Sequence, residues 1–393
     1  MSGPDRQPAG RRPARLVTWI LAGIAALTAV AIVLLWPGED RPRVAGLSDS
    51  DEAEVVEVVR VPCPQPSPDD CLEAGIELRS GAAEGSTQEL ALGLAGEPVA
   101  KLDVGDRIRV SAVPTPGGGA TVYNFTDFER RGTLVWLAVA FVAMVLLFAR
   151  LRGALSLLGL GLSLVIILGF IVPAILSGEP PFAVAVAGSL AVMLVTIPLA
   201  HGIGPKSLAA MLGTTTALLL TAVLALSVTG IANLTGLSSE EALLLDVAGA
   251  DISLQGLLVA GMVIGALGVL DDVTISQAST VFALRAANPA QSFGQLAGRA
   301  MDVGRDHVSA TVNTLVLAYA GSALPVLLIF GAGDISLGAV ANLELVAREI
   351  VATLVGSIGL IAAVPITTGV AAWLALALPA DQIAAEAEHG HTH

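Results

Sequence analysis

The chain has 393 residues, of which 54% are hydrophobic and 14% are charged, and its formal net charge is −14 at pH 7. Soluble globular proteins carry about 25% charged residues, so the composition excludes an ordinary soluble enzyme or binding domain. The acidic balance argues against a nucleic-acid partner. Long apolar blocks separated by short polar segments instead predict a multi-pass membrane protein, whose main partner is the lipid bilayer.

Eight segments have the composition of membrane spans, which need about 20 apolar residues. They are Leu16–Trp36, Thr133–Ala149, Leu155–Ser177, Phe182–Ala200, Leu208–Ile231, Leu254–Leu270, Val308–Phe330 and Ile350–Leu378. The predicted fold class is therefore a mainly α membrane protein with about eight transmembrane helices, the last seven forming a bundle over residues 133–378. The first apolar run, residues 16–36, is longer than that of a typical signal peptide, which favours an uncleaved anchor over a cleaved signal.

The positions of arginine and lysine predict the orientation, because short cytoplasmic connections are enriched in these residues. The basic residues that share one side under this rule are Arg11, Arg12, Arg15, Arg150, Arg152, Lys206, Arg285, Arg299 and Arg305. Arg130 and Arg131 fall on the opposite side and are an exception. We expect a bacterial plasma-membrane protein with residues 1–15 and the tail, residues 379–393, in the cytoplasm.

A long polar region, residues 40–130, separates the first predicted span from the second. Runs such as EVVEVVRVPC and VAKLDVGDRIRVSAVP alternate in part between apolar and polar residues, and glycine, proline and aspartate bound them. This pattern predicts a small β domain of five or six strands, and we expect an OB-like barrel. The predicted orientation makes this domain extracytoplasmic.

Both cysteines of the chain, Cys63 and Cys71, fall in the predicted β domain. Disulfides persist outside the cytoplasm, so the predicted location favours a structural disulfide between them. Two buried free thiols or a redox pair are the alternatives. A bridge would close a short proline-rich loop and stabilise the domain by about 2–3 kcal/mol.

Two adjacent carboxylates, Asp271 and Asp272, follow the sixth predicted span in the stretch GVLDDVTISQAS. They lie where a membrane helix is expected to end on the cytoplasmic side, and Thr274 and Gln277 follow them. One interpretation is an N-cap, in which Asp272 accepts hydrogen bonds from the first N–H groups of a new helix. A cap needs one aspartate, whereas a pair with nearby polar side chains suits a cation or proton site. The sequence leaves both interpretations open.

A second polar group opens the seventh predicted span, in the stretch GRDHVSATVNTL. At about 100° per residue, its polar side chains occupy less than half of the helix circumference. Arg305 precedes this stripe, whose residues are Asp306, His307, Thr311, Asn313 and Thr314. A polar stripe that enters the membrane from the cytoplasmic side is typical of the lining of an ion or substrate path. The alternative is a structural pair of Arg305 or His307 with an aspartate, without a further role.

The remaining polar patterns favour structural interpretations. Thr214, Thr215 and Thr216 in the fifth predicted span are expected to hydrogen-bond to their own helix. Pro198 and Pro365 could break the fourth and eighth spans near threonines, and broken helices often mark binding sites, although isolated proline kinks are common. The sequence has no nucleotide-binding loop, nucleophile elbow, HExxH motif or closed cysteine set. We therefore expect no enzymatic activity, no cofactor and no metal centre.

Three segments together resemble the YibE/F-like family of bacterial membrane proteins: GALGVLDDVTISQASTVFALRAANP, GRDHVSATVNTLVLAYAGSALP and AVPITTGVAAW. The stretches YNFTDFERRGTL and HGIGPKSLAAMLGT are also similar to family segments, so the resemblance covers about residues 50–378. It implies a multi-pass plasma-membrane protein with a small extracytoplasmic domain before the main bundle. It implies no substrate and assigns no catalytic or binding residue.

The leading functional hypothesis is a transporter or permease-like protein with a cytoplasm-facing site for a cation or a proton-coupled small substrate. The candidate residues are Asp271, Asp272, Thr274, Gln277, Arg305, Asp306, His307, Thr311, Asn313 and Thr314. The alternative is a membrane scaffold or sensor that acts through the β domain. An intramembrane enzyme is a weaker third hypothesis, because no nucleophile is recognisable. The sequence leaves the oligomeric state open.

Overall fold

The structure is a computed structural model, which describes residues 11–38, 50–61, 71–92, 101–114, 121–238, 243–245, 252–333, 335–379 and 382–383. The chain divides into two compact units, Val44–Phe148 and a second unit formed by Met1–Arg43 with Ala149–His393. The predicted disulfide lies outside the described residues, which include neither Cys63 nor the side chain of Cys71. Residues 1–10 and 384–393, at the two predicted cytoplasmic ends, also lie outside them.

The first unit contains a closed barrel of five strands. The strands are β1 (Asp51–Val61), β2 (Cys71–Leu78), β3 (Thr87–Leu92), β4 (Arg107–Pro114) and β5 (Thr121–Phe128). Their order around the barrel is β1-β2-β3-β5-β4, and β4 closes the barrel by pairing with β1. Neighbouring strands are antiparallel except β3 and β5, which are parallel. The predicted small β barrel is confirmed.

The partial alternation in the strands creates the barrel core, because successive side chains of a strand point to opposite faces. The core residues include Ala53, Val55, Ala74, Ile76, Leu78, Leu90, Ile108 and Val110. Glutamates occupy intervening positions, such as Glu54 in β1 and Glu73 and Glu77 in β2. Part of the negative charge of the chain therefore lies on the outer surface of this barrel.

Ion pairs hold the short segment that follows the barrel. Arg131 Nη2 lies 2.6 Å from Glu129 Oε2, and Arg130 Nη1 lies 2.7 Å from Asp127 Oδ2. Hydrogen bonds from the Arg131 side chain lower the pKa of Glu129 to about 2, so this carboxylate is ionised at neutral pH. The two arginines that are exceptions to the predicted orientation therefore have adjacent carboxylates that balance their charge.

The described helices begin with α1 in the second unit, and α2 runs from the first unit into the second. They are α1 (Arg11–Leu34), α2 (Arg131–Ile166), α3 (Val172–Leu176), α4 (Pro181–His201), α5 (Pro205–Ile231), α6 (Leu254–Ala287), α7 (Phe293–Ser322), α8 (Leu324–Gly331), α9 (Leu337–Ala341) and α10 (Glu344–Ala377). A π-helical turn, Ile167–Ile171, joins α2 to α3.

Among the described residues, six helical stretches are long and apolar enough to cross a membrane, and α7 with α8 forms a seventh candidate bent by 62°. The chain is thus a multi-pass membrane protein, and the predicted number of eight spans is not confirmed. The predicted and observed numbers of spans differ at Arg131–Leu176, where two predicted spans form one helical stretch. Arg150, with φ 49° and ψ −127°, interrupts the helical backbone inside this stretch.

The centre of the bundle is formed by α5, α6 and α10, and α1, α4 and α7 pack around them. The helices α5 and α10 approach closely at two reciprocal contacts. Thr367 of α10 packs against Gly213 of α5, and Thr221 of α5 packs against Gly359 of α10. Small residues at helix interfaces allow this close approach in membranes, where van der Waals contact replaces the hydrophobic effect as the driving force.

Candidate functional site

Asp271 and Asp272 lie in the middle of α6 and not at its end. The helix continues without a break beyond Leu270, and its N-cap is Ser253. The predicted helix end and the N-cap interpretation of Asp272 are therefore wrong. The stretch VLDDVTISQASTVFALRAAN contains no glycine or proline, so nothing in the local sequence stops the helix. The apolar segment ends near the aspartates, whereas the hydrogen-bonded helical backbone continues to Ala287.

The Asp271 side chain contacts α4. Its Oδ2 accepts a long hydrogen bond of 3.5 Å from Thr196 Oγ1. Its Oδ1 is shielded from solvent and has no hydrogen-bond partner among the described residues. Buried carboxylate oxygens are normally hydrogen-bonded or paired with a cation, because an unpaired buried charge is costly. The free oxygen is therefore an acceptor that a proton or a cation can satisfy.

Thr274, one turn further along α6, joins this helix to α5. Its Oγ1 lies 2.6 Å from Thr214 Oγ1, and both residues are fully buried. The Thr274 hydroxyl also donates to the Asp271 carbonyl oxygen at 3.1 Å. Because a hydroxyl has one proton, Thr214 is then the donor to Thr274. Thr215 and Thr216 bond to their own helix as expected, whereas Thr214 forms this bond to another helix.

Gln277 joins α6 to two further helices. Its Nε2 donates to Thr368 Oγ1 of α10 at 2.7 Å and to the Ala300 carbonyl oxygen of α7 at 2.9 Å. Gly304 of α7 leaves the space for this amide, because a Cβ at that position would lie 2.8 Å from Gln277 Oε1. Gln277 is only 3% exposed, so both hydrogen bonds are protected from water.

Asp271, Thr274 and Gln277 together form what we call the α6 polar face. They are spaced by three residues, which places them on one side of the helix at intervals of about 4.5 Å along its axis. Each of the three contacts a different neighbour: Asp271 contacts α4, Thr274 contacts α5, and Gln277 contacts α10 and α7. The structure therefore brings three of the predicted site residues together.

Asp272 lies outside this face. Its side chain is exposed. Asp271 contacts Thr196, five residues before the last residue of α4, so the two aspartates lie near the level at which α4 ends. Beyond this level α6 continues to Ala287, and it packs there against the first half of α7.

The stripe predicted at the start of the seventh span lies in the middle of α7, because this helix begins at Phe293. Most of its side chains are on the exposed face of the helix. The exposed residues are Arg305, Asp306, His307, Asn313 and Thr314, and Thr311 is half-buried. Thr311 donates to the His307 carbonyl oxygen at 2.9 Å.

The aspartates of α6 and the stripe of α7 are not joined. Arg305 Nη1 pairs with Asp302 Oδ1 of its own helix at 2.7 Å, and both side chains are exposed. Within the part of the chain that the structure describes, no hydrogen bond or ion pair links the stripe to Asp271 or Asp272. The structure therefore separates the predicted candidates into the buried α6 polar face and an exposed group on α7.

Three side chains that contact the α6 polar face were not among the candidates from the sequence: Thr196, Thr214 and Thr368. A signal for two of them was the proximity of proline, since Thr196 is two residues before Pro198 and Thr368 is three residues after Pro365. Thr214 carried no such signal. Its hydrogen-bond partner, Thr274, is determined by the packing of α5 against α6.

Gln277→Glu is expected to lower the free energy of unfolding by at least about 1–3 kcal/mol, because it buries an unsatisfied carboxylate. The change replaces the donor Nε2 by an oxygen that faces the Ala300 carbonyl oxygen. Thermal unfolding of the purified protein in detergent measures the effect. Ser276→Asp, on the exposed side of the same helix, is the control and should stay within about 0.5 kcal/mol of the wild type. Equal stabilities of the two variants would contradict the described packing of Gln277.

A family model described as YibE/F-like protein matches residues 137–376, more than half of the chain. The matched residues include the α6 polar face and the exposed group on α7. The comparison with curated proteins and the comparison with solved structures each gave no match. The family match confirms the resemblance over residues 137–376; the stretch YNFTDFERRGTL and the barrel, which the resemblance was expected to include, lie outside the matched residues. The chain belongs to the YibE/F-like family.

Proposed function

We propose that the chain is a permease-like transporter in which the α6 polar face binds a proton or another small cation and moves it across the membrane. Asp271 carries this proposal. It lies where the apolar half of α6 ends, next to the proposed cytoplasmic boundary, and its Oδ1 is buried without a donor among the described residues. Buried ionisable groups in membrane proteins are costly, and those that are retained usually belong to ion or substrate paths.

The surroundings of Asp271 favour a proton over a tightly held divalent cation. Calcium takes about six to eight oxygen ligands, and the described neighbours of the carboxylate are the Thr196 hydroxyl and the exposed Asp272. Protonation neutralises the Asp271 carboxylate and so removes the cost of burying its charge. The adjacent hydroxyls of Thr274 and Thr214 supply groups that can pass a proton onward.

Proline residues in the flanking helices also support a transport path. Pro198 in α4 and Pro365 in α10 each lack an N–H group, which leaves the carbonyl oxygen four residues earlier without its helical partner. Thr196 and Thr368, which contact the α6 polar face, lie next to these two positions. Both helices continue through their prolines, so the predicted breaks are not present, and the prolines contribute only the freed carbonyl oxygens near the α6 polar face.

A cavity of about 290 Å³ lies beside the N-terminal half of α6. Met262 of α6, Tyr319 of α7, and Arg348 and Glu349 of α10 are among the residues that line it. Met262 is nine residues before Asp271, which corresponds to about 13 Å along the helix axis. We propose that this cavity is the outer entrance of the path.

The proposed topology retains eight spans in the bacterial plasma membrane, with the barrel outside and both termini in the cytoplasm. The 46-residue stretch Arg131–Leu176 would be about 69 Å long as one helix, whereas a hydrocarbon core is about 30 Å thick. The break at Arg150 divides it into two spans, and α7 with α8 supplies one bent span. In this arrangement Asp272 and His201 lie at the cytoplasmic boundary.

Proton flux into proteoliposomes tests the proposal. A potassium gradient with valinomycin sets a negative interior potential, and an enclosed dye reports the interior pH. The wild type is expected to acidify the interior faster than empty liposomes do, and Asp271→Asn is expected to reduce the rate to that of empty liposomes. The amide keeps the shape of the side chain but cannot carry a proton at neutral pH.

Asp302→Asn is the matched control, because Asp302 is an exposed carboxylate outside the α6 polar face. It should keep the wild-type rate. A wild-type rate no higher than that of empty liposomes would contradict the proposal, and so would a full rate for Asp271→Asn.

A scaffold or sensor that acts through the barrel is the second candidate. The observation in its favour is that the barrel is a compact unit with its own hydrophobic core. Deletion of residues 45–128 distinguishes the two candidates in cells that depend on the protein. A phenotype that follows this deletion and is absent from Asp271→Asn would favour the scaffold.

A further inference from the structure

We infer that the exposed face of α7 is the surface through which two copies of this chain associate. We call this surface the outer face of α7; its residues are Asp306, His307, Ala310, Asn313, Thr314 and Ala318, all exposed. In the same part of the helix, the opposite face packs on the bundle through Val308, Val312 and Leu315. The helix is thus packed on one side, and its outer face combines polar and small residues with the exposed Leu317.

The contacts of α7 with α6 place Asn313 inside the span. Gly304 lies beside Gln277, and the two helices run in opposite directions. Asn313 is nine residues from Gly304, or about 13 Å along α7, whereas Asp271 is about 9 Å from Gln277 along α6. Asn313 therefore lies deeper in the apolar part of the bundle than Asp271 does, and it is exposed there.

Lipid tails cannot satisfy an exposed asparagine. An amide in a membrane helix instead forms hydrogen bonds to another helix, and small residues let the two backbones approach. Ala310, Thr314 and Ala318 recur every four residues along the outer face and provide such a small surface. The Thr314 hydroxyl donates to the Ala310 carbonyl oxygen at 3.1 Å, so its proton is already used within α7. These features fit a packed helix better than lipid.

A second copy of the chain fits this face because the face is complementary to itself. A two-fold axis along the membrane normal brings the same residues together at the same depth. The Asn313 amide contains both a donor and an acceptor, so it can pair with the Asn313 amide of the other copy. About two turns nearer the N-terminus of α7, the Asp306 carboxylate can accept a hydrogen bond from the His307 ring of the other copy.

Cysteine cross-linking in membranes tests this inference. Ala310→Cys and Thr314→Cys, which keep Asn313, are expected to form disulfide-linked dimers upon mild oxidation. Val223→Cys is the control on another helix, because Val223 of α5 is 60% exposed but lies outside the outer face. The wild type, which retains Cys63 and Cys71, measures cross-linking by the native cysteines. Native mass spectrometry of the detergent-purified wild type should give the mass of two chains.

Asn313→Leu is expected to convert the dimer to a monomer without unfolding it, whereas Asn313→Gln retains the amide and should retain dimers. A monomeric wild type without cross-links at residues 310 and 314 would overturn the inference. Cross-linking at residue 223 equal to that at residues 310 and 314 would also overturn it, because random collisions would then explain both.

Discussion

Gly359→Ala is expected to lower the free energy of unfolding of the helix bundle by about 1–3 kcal/mol, because it overpacks the contact between α5 and α10. A Cβ at Gly359 would overlap the Thr221 hydroxyl, and Thr221 is fully buried. The two helices must move apart, and they form the most extensive helix pair of the bundle. Thermal unfolding in detergent, followed by circular dichroism, measures the loss.

Gly356→Ala is the matched control in the same helix. No atom of another residue lies within 4 Å of a Cβ at Gly356, so alanine is tolerated there. Its higher helix propensity should raise stability by up to about 1 kcal/mol. The two glycines are three residues apart, yet the expected effects have opposite signs. Equal effects would show that α5 and α10 are not in close contact at Gly359.

The double variant Gly359→Ala with Thr221→Ala makes this test specific. Removal of the Thr221 hydroxyl leaves the Thr221 Cβ, at 3.2 Å, as the nearest atom to the new methyl group. The double variant is therefore expected to recover most of the stability that Gly359→Ala loses. A double-mutant cycle measures the coupling between the two positions, which should be favourable.

Asp271→Asn is expected to raise the free energy of unfolding by about 1–3 kcal/mol at neutral pH, because it removes a buried negative charge that no donor or cation among the described residues compensates. The new amide can donate to the Thr196 hydroxyl, which now lies 3.5 Å from Oδ2. A residue retained at a cost in stability is typical of functional sites. The unfolding midpoint of the purified variant, compared with that of the wild type, measures the gain.

Asp272→Asn is the control for this second prediction. Asp272 is the next residue of α6 and carries the same charge, but its side chain is exposed. Its replacement should change stability by no more than about 0.5 kcal/mol. If Asp271→Asn is less stable than the wild type, the carboxylate has a stabilising partner and the proposed role of its free oxygen fails.

These two predictions depend on features of different origin in the sequence. The aspartates were visible as charges beside an apolar run, and Asp271, Thr274 and Gln277 were candidates from the sequence, but the predicted helix end at Leu270 hid the fact that they share one side of α6. The reciprocal contacts of Gly213 and Gly359 with threonines could not be predicted. Helical glycines give no indication of which of them touches another helix.

The sequence also misplaced the ends of two helices, for one physical reason. Hydropathy reports where a segment leaves the apolar phase, whereas a helix ends where its backbone hydrogen bonds end. The apolar run of the sixth predicted span ends at Leu270, but α6 continues to Ala287. The seventh predicted span begins at Val308, but α7 begins at Phe293. The polar residues at both boundaries therefore lie inside helices.

By itself, the sequence determined the class of the protein, its family and the presence of a small β barrel. These follow from composition, from local motifs and from the alternation of residues in strands, none of which requires knowledge of distant contacts. The tertiary structure alone decided which polar residues meet. It placed Asp271 against Thr196 and left Asp306 and His307 on the exposed face of α7. The reason is that a helical pattern defines the faces of a helix, whereas only packing decides which neighbour covers each face.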